Sequence, residues 1–141
     1  KVEFITALKS SNSLRGLPYK GNQEENLKYI LFMPPKTIKF RSHLAELVAK
    51  GEKTSTWRLF DDKNLTTGDV VDFINWDTGE KFAEAKLTDV YEKTLSTIAD
   101  ADWIGHEKFA SEEEMYTTYK TYYGYRVGPD TVVKIIHFVL V

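Results

Sequence analysis

Gly51-Glu52-Lys53-Thr54-Ser55-Thr56-Trp57-Arg58 compresses a helix end, a bend and a strand start into one short run. Upstream, Ser42 reads as an N-cap, and Leu44, Leu47 and Val48 form an apolar stripe at helical spacing. Gly51 then suits the left-handed position that closes such a helix. From Thr54 onward the pattern changes to period two. Ser55, Trp57 and Leu59 fall on one side, and Thr54, Thr56, Arg58 and Phe60 on the other. The same run carries a primary amine, hydroxyls and a guanidinium. An amine beside a hydroxyl can activate a weak oxygen nucleophile, provided that the amine is held neutral.

Working outward, residues 37–40 read as a short strand before the helix. Polar turns at Asp61-Asp62-Lys63-Asn64 and Thr67-Gly68-Asp69 precede a strand from Val70 to Trp76. Asp77-Thr78-Gly79-Glu80 predicts a hairpin turn into a strand over residues 81–91. Ser111, with Glu114 three residues later, predicts a capping box and a helix whose stripe is Met115, Tyr119 and Tyr122, ended by Gly124. Residues 131–141 are rich in β-branched side chains and apolar on both faces, the mark of a central strand. The fold class is α+β: a small, partly closed β-barrel of about five strands with two or more flanking helices.

Residues 1–32 differ from the rest. Their apolar positions lack a period, and Ser10-Ser11-Asn12-Ser13, Gly16, Pro18 and Gly21-Asn22 interrupt them. Met33-Pro34-Pro35-Lys36 is a natural start, so residues 1–32 are expected to be an extension or an expression-derived segment, with the domain at 33–141. The competing expectation is a native arm whose end, residues 27–32, pairs with the sheet.

The 141-residue chain suits one domain, and 42% hydrophobic with 13% aromatic residues exclude a disordered or fibrous one. Without cysteine there is no disulfide, thiolate nucleophile or cysteine-based zinc site. A formal charge of −2 opposes a domain that holds nucleic acid through bulk charge. His43, His106 and His137 lack metal-ligand spacing, and no cofactor fingerprint is present, so neither metal nor cofactor is expected. No apolar run reaches membrane-spanning length, and a soluble cytoplasmic protein without a membrane partner is expected.

Gly51, Lys53, Thr56 and Arg58 fit the G-x-K-x-x-[E/T]-x-R signature of the ASCH domain. The chain resembles that family, a relative of the PUA-like RNA-binding barrels, over roughly residues 33–141. Within the family it is most similar to the small bacterial amidohydrolases that deacetylate N(4)-acetylcytidine. Those carry threonine where many ASCH domains carry glutamate, as at Thr56. The resemblance implies hydrolysis of a non-peptide carbon–nitrogen bond by Lys53, Thr56 and Glu107, the last in Gly105-His106-Glu107-Lys108. Arg58, Thr54, Trp103 and His106 are the residues expected to contact substrate or RNA. The implied partner is a nucleoside-like ligand or RNA.

Thr56 is the expected nucleophile. Lys53 is its base if burial depresses the amine's pKa from about 10.4. Glu107 either protonates the leaving nitrogen or holds Lys53 in place. Lys53 and Thr56 are three residues apart and point to opposite faces of an ideal strand, so Lys53 must lie in the bend after Gly51. Each residue also has a plain structural role: a solvated loop lysine, threonines chosen for β-propensity, an Arg58 paired with Asp61, Asp62 or Asp69, and an acid ahead of an acidic helix start. A non-catalytic RNA- or nucleotide-binding domain, with Lys53 and Arg58 on phosphate, is the alternative to the hydrolase.

Overall fold

A computed structural model describes Glu24, Leu27 and residues 33–141. The two expectations about residues 1–32 lie outside these residues, those two positions apart. The elements run β1 (Thr37–Phe40), α1 (Ser42–Ala49), β2 (Ser55–Leu59), β3 (Val70–Asn75), β4 (Lys81–Thr94), α2 (Glu112–Tyr123) and β5 (Val132–Leu140). Two short 3-10 turns, Leu95–Thr97 and Asp100–Trp103, link β4 to α2.

The five strands form one sheet in the order β1-β3-β4-β5-β2. Only the β1–β3 pairing is parallel. β4 is the spine: its first half pairs with β3, and it pairs with β5 from Ala85 to Thr94. Register shifts at Phe73/Ile74 and Leu87/Asp89 add local twist and bend the sheet into a half-barrel. This is the expected α+β architecture. β5 lies between β4 and β2, as its two apolar faces required. Val133 and Ile135 face one cluster, and Ile136 and Phe138 the other.

The inner cluster includes Ile38, Phe40, Val71, Phe73, Leu87, Ile136 and Phe138, with Ala45 and Val48 of α1 packed onto it. Phe73 meets Phe40 and Phe138, each at a 4.8 Å centroid separation and tilted edge-to-face, a favoured aromatic arrangement. The outer cluster joins Trp57, Leu59, Val133 and Ile135 to Met115 and Tyr119 of α2. Tyr122, expected on the same stripe, is instead exposed.

Helix signals act as read, with two corrections. Ser111 Oγ accepts the Glu114 backbone N–H at 3.1 Å, while the Glu114 carboxylate accepts from the Ala110 N–H at 3.0 Å instead of the Ser111 N–H of a full capping box, and Gly124 closes α2. At α1 the N-cap is Arg41, not Ser42. The Ser42 N–H is satisfied by Asp77 Oδ2 at 2.9 Å, an acceptor from the distant β3–β4 turn. A carboxylate suits this positive helix end, so the Ser42 hydroxyl is not needed as a cap.

Candidate active site

β1 and β2 are the two edges of the sheet, and the half-barrel stays open between them. A cavity of about 670 Å³ fills this seam, walled by both strands, by Tyr119, Tyr122 and Tyr123 of α2, and by His106 and Glu107. Its size lies within the usual range for small-molecule sites. Arg58 reaches across the gap from β2 and sets its guanidinium 4.8 Å from the centre of the Phe40 ring of β1.

Lys53 is placed by the end of α1. Gly51 takes φ +78, its N–H bonds Val48 O at 3.0 Å, and the Glu52 N–H bonds Leu47 O at 2.9 Å. These are the paired hydrogen bonds of a Schellman cap. The Lys53 N–H adds a third bond to Leu47 O at 3.2 Å, so Lys53 belongs to this bend and not to β2. That resolves the opposed-face difficulty of the sequence. The bend drives Lys53 inward until only 2% of it is exposed, and its amine meets the Glu107 carboxylate. Burial holds the amine below its ordinary value, although contact with Glu107 pulls the other way.

Glu107 arrives from 54 residues downstream because its loop is docked on the same segment. Gly105 O accepts the N–H groups of Thr54 and Ser55 at 2.9 and 3.1 Å, and Ser55 Oγ donates to Ile104 O at 3.1 Å. Gly105 is at φ +79, and a β-carbon there would lie 2.1 Å from Thr54 Oγ1. Only glycine allows this approach. The loop is also held upstream: Asp102 accepts Tyr91 Oη at 2.7 Å, Lys93 Nζ at 2.6 Å and Ala99 N–H at 2.8 Å.

Thr56 and Arg58 share the sheet face of their β5 partners Ile136 and Lys134, and both line the cavity with Glu107. Thr56 is buried, at 4% exposed. Arg58 has no carboxylate partner among the described residues. Asp61 pairs with Lys134 and Asp69 with Lys36, which sets aside those two structural partners, and the Arg58 Nε is buried without a hydrogen bond. His106 stacks on Trp57 at 4.2 Å and donates from Nδ1 to Glu107 O at 2.7 Å, which leaves Nε2 as the acceptor. Burial, helped by Lys53, pushes its pKa down to about 4, so the ring is neutral at pH 7.

Thr54 and Trp103 do not line the cavity, and neither does Lys53, which reaches it only through its contact with Glu107. Thr54 is exposed and serves the loop through its backbone, and Trp103 packs behind Trp57 at 4.5 Å. The lining residues that were not among the candidates include Lys39, Lys63 and Trp76. Their only sequence signal is the position of Lys39 and Lys63 beside strand ends, since the seam is built by non-local pairing. Among the described residues no group of three or more His, Asp or Glu is arranged to hold a metal ion. No helix among them is long and apolar enough to cross a membrane.

The fold and its open seam define the class: a small α+β half-barrel with a ligand-sized cleft where the barrel fails to close. Solved structures of the same fold include an ASCH domain from Lactobacillus crispatus, 15% identical, with a TM-score of 0.58 over 97% of this chain and 94% of that one. A protein of the DUF984 family from Enterococcus faecalis is 18% identical, with a TM-score of 0.63 over 84% and 88%. A mutant of ZmASCH from Zymomonas mobilis is 15% identical, with a TM-score of 0.51 over 73% and 66%. The fold is therefore that of ASCH-domain proteins. No family model and no curated protein matches the sequence.

Proposed function

We propose that residues 33–141 form an amide hydrolase acting on an acylated pyrimidine nucleoside such as N(4)-acetylcytidine. The observation that carries this reading is the buried Lys53 amine in contact with Glu107, which shares a cavity wall with Thr56. An amine kept below its ordinary pKa by burial can supply the neutral base that a threonine hydroxyl needs.

In this mechanism Lys53 takes the Thr56 hydroxyl proton as Oγ attacks the acetyl carbonyl carbon. The proton passes from Lys53 through Glu107 to the leaving nitrogen as the carbon–nitrogen bond breaks, releasing cytidine. Lys53 and Glu107 thus share one proton, which reconciles an acid and a base in direct contact. Water then attacks the acetyl–Thr56 ester, giving its proton to Lys53, and Thr56 recovers a proton as acetate leaves. Neutral His106 offers Nε2 as an acceptor toward the cavity.

Incubation with N(4)-acetylcytidine, with cytidine release followed by absorbance, tests the reading. Turnover is expected from the wild type and is lost in Lys53→Ala and Thr56→Ala variants that remain folded. Absence of turnover by a folded wild-type sample overturns the hydrolase reading for this substrate and leaves nucleotide binding, which the cations lining the cavity favour.

A further inference from the structure

The mouth of the cavity carries charge that the hydrolytic groups do not use. Arg41, Asp61 and Glu107 also line the cavity, and each is matched by a partner: Arg41 by Asp77 at 3.1 Å, Asp61 by Lys134 at 2.7 Å, and Glu107 by Lys53. What remains is Lys39, Arg58 and Lys63 against the single exposed carboxylate of Asp62. None of the three cations pairs with a carboxylate among the described residues. Such a concentration of like charge stands out in a chain whose overall balance is −2.

The three are held in place without neutralisation. Lys63 Nζ donates to Thr37 O and Oγ1 at 2.6 and 2.9 Å, a bridge across the seam that leaves its third proton free. Arg58 lies on Phe40 with its Nε unsatisfied. Lys39 Nζ sits 5.1 Å from the centre of the Trp76 ring, which is 55% exposed and lines the same cavity. Lys63 also feels Lys39 and Arg58 strongly enough, after burial itself, to be pushed below its ordinary value. Pre-positioned donors with no internal anion match the needs of a phosphate group.

We infer that Lys39, Arg58 and Lys63 form a phosphate subsite at the cavity mouth, so that the preferred ligand is a pyrimidine nucleoside 5′-monophosphate rather than the neutral nucleoside. This rests on the nucleoside reading of the inner cavity. With one base and sugar in the cleft of about 670 Å³, the cations at its mouth meet the phosphate of that same nucleotide.

Calorimetric titration of the full chain with cytidine, cytidine 5′-monophosphate and inorganic phosphate tests this. The monophosphate is expected to bind about tenfold tighter than cytidine at low salt, with the advantage shrinking as salt is raised. Lys39→Ala and the double variant Lys39→Ala/Lys63→Ala are expected to reduce that ratio stepwise, and the single variant keeps the test valid should loss of the Lys63 bridge disturb folding. Equal affinity for cytidine and its monophosphate overturns the subsite while leaving the nucleoside reading intact. Binding of inorganic phosphate at the three cations without any contribution from cytosine supports the subsite and overturns the nucleoside reading. An oligoribonucleotide that binds far more tightly than the monophosphate overturns the assignment of the phosphate to a free nucleotide.

Discussion

Substituting Gly105 by alanine attacks the point where two distant parts of the site are joined. The new β-carbon would lie 2.1 Å from Thr54 Oγ1 and 3.3 Å from the Ser55 N and Thr54 C atoms, on a residue at φ +79. The left-handed backbone costs an alanine about 1–2 kcal/mol. Displacing the loop weakens two backbone hydrogen bonds, at about 1 kcal/mol each. The sum, about 3 kcal/mol, corresponds to a fall in Tm of roughly 10 °C for a domain of this size. Turnover suffers more, because Glu107 moves with the loop, and a displacement of about 1 Å costs on the order of a hundredfold. Thermal unfolding and acetylcytidine turnover report the two effects separately. The Thr54→Ala change removes the 2.1 Å contact and leaves the backbone strain and the two 3.3 Å backbone contacts. Gly105→Ala/Thr54→Ala is therefore expected to recover about half of the lost Tm. An unchanged Tm and turnover in Gly105→Ala would refute the idea that this approach seats Glu107.

Four further outcomes follow from the same geometry. Lys53→Met fills the buried stem with an apolar chain of similar length and leaves Glu107 partly solvated at its 31% exposure. Tm is expected to hold or rise while turnover disappears. Because the folded pKa of Lys53 lies below its unfolded value, the unfolded chain binds the extra proton between the two, and stability rises with pH across that window up to about 10.4. Denaturant titrations at a series of pH values up to about 10 are expected to show this rise in the wild type and its loss in Lys53→Met. His106 behaves in the same sense. Stability is retained above pH 6.5 and declines as pH falls toward 4, by up to about 3 kcal/mol, with ring nitrogen shifts showing a neutral imidazole at pH 7. Ser111→Ala removes the cap of α2 and is expected to cost about 1 kcal/mol in chemical denaturation without changing the cavity's chemistry.

Local signals in the sequence were legible where local physics decides. Gly51, the Ser111–Glu114 pair, the Asp77–Glu80 turn and the two-faced β5 each specify their element with near neighbours. Ser42 misled because its N–H is capped by Asp77, a residue 35 positions away. The link between β4 and α2 lacks a hydrophobic period, and its 3-10 turns are held by Asp102 through side-chain bonds that no spacing encodes. Lys53 and Thr56 were singled out by residue type and motif and Glu107 by the resemblance, and the structure brings Lys53 against Glu107 and sets Thr56 and Glu107 on one cavity wall. Thr54 and Trp103 were not separable from lining residues, because facing the cavity depends on which strands form the edges. The seam arises from the parallel β1–β3 pairing and from β2 joining β5, so the contributions of Lys39, Lys63 and Trp76 became visible only once the strand order was fixed.

The most direct measurement is rapid mixing of the protein with N(4)-acetylcytidine, acid quenching and peptide mapping by mass spectrometry. An acetyl group is predicted on Thr56, appearing within the first turnover and absent in Lys53→Met. Release of cytidine by a folded Thr56→Ala variant at the wild-type rate, or an acetyl group found only on another residue, would contradict the account.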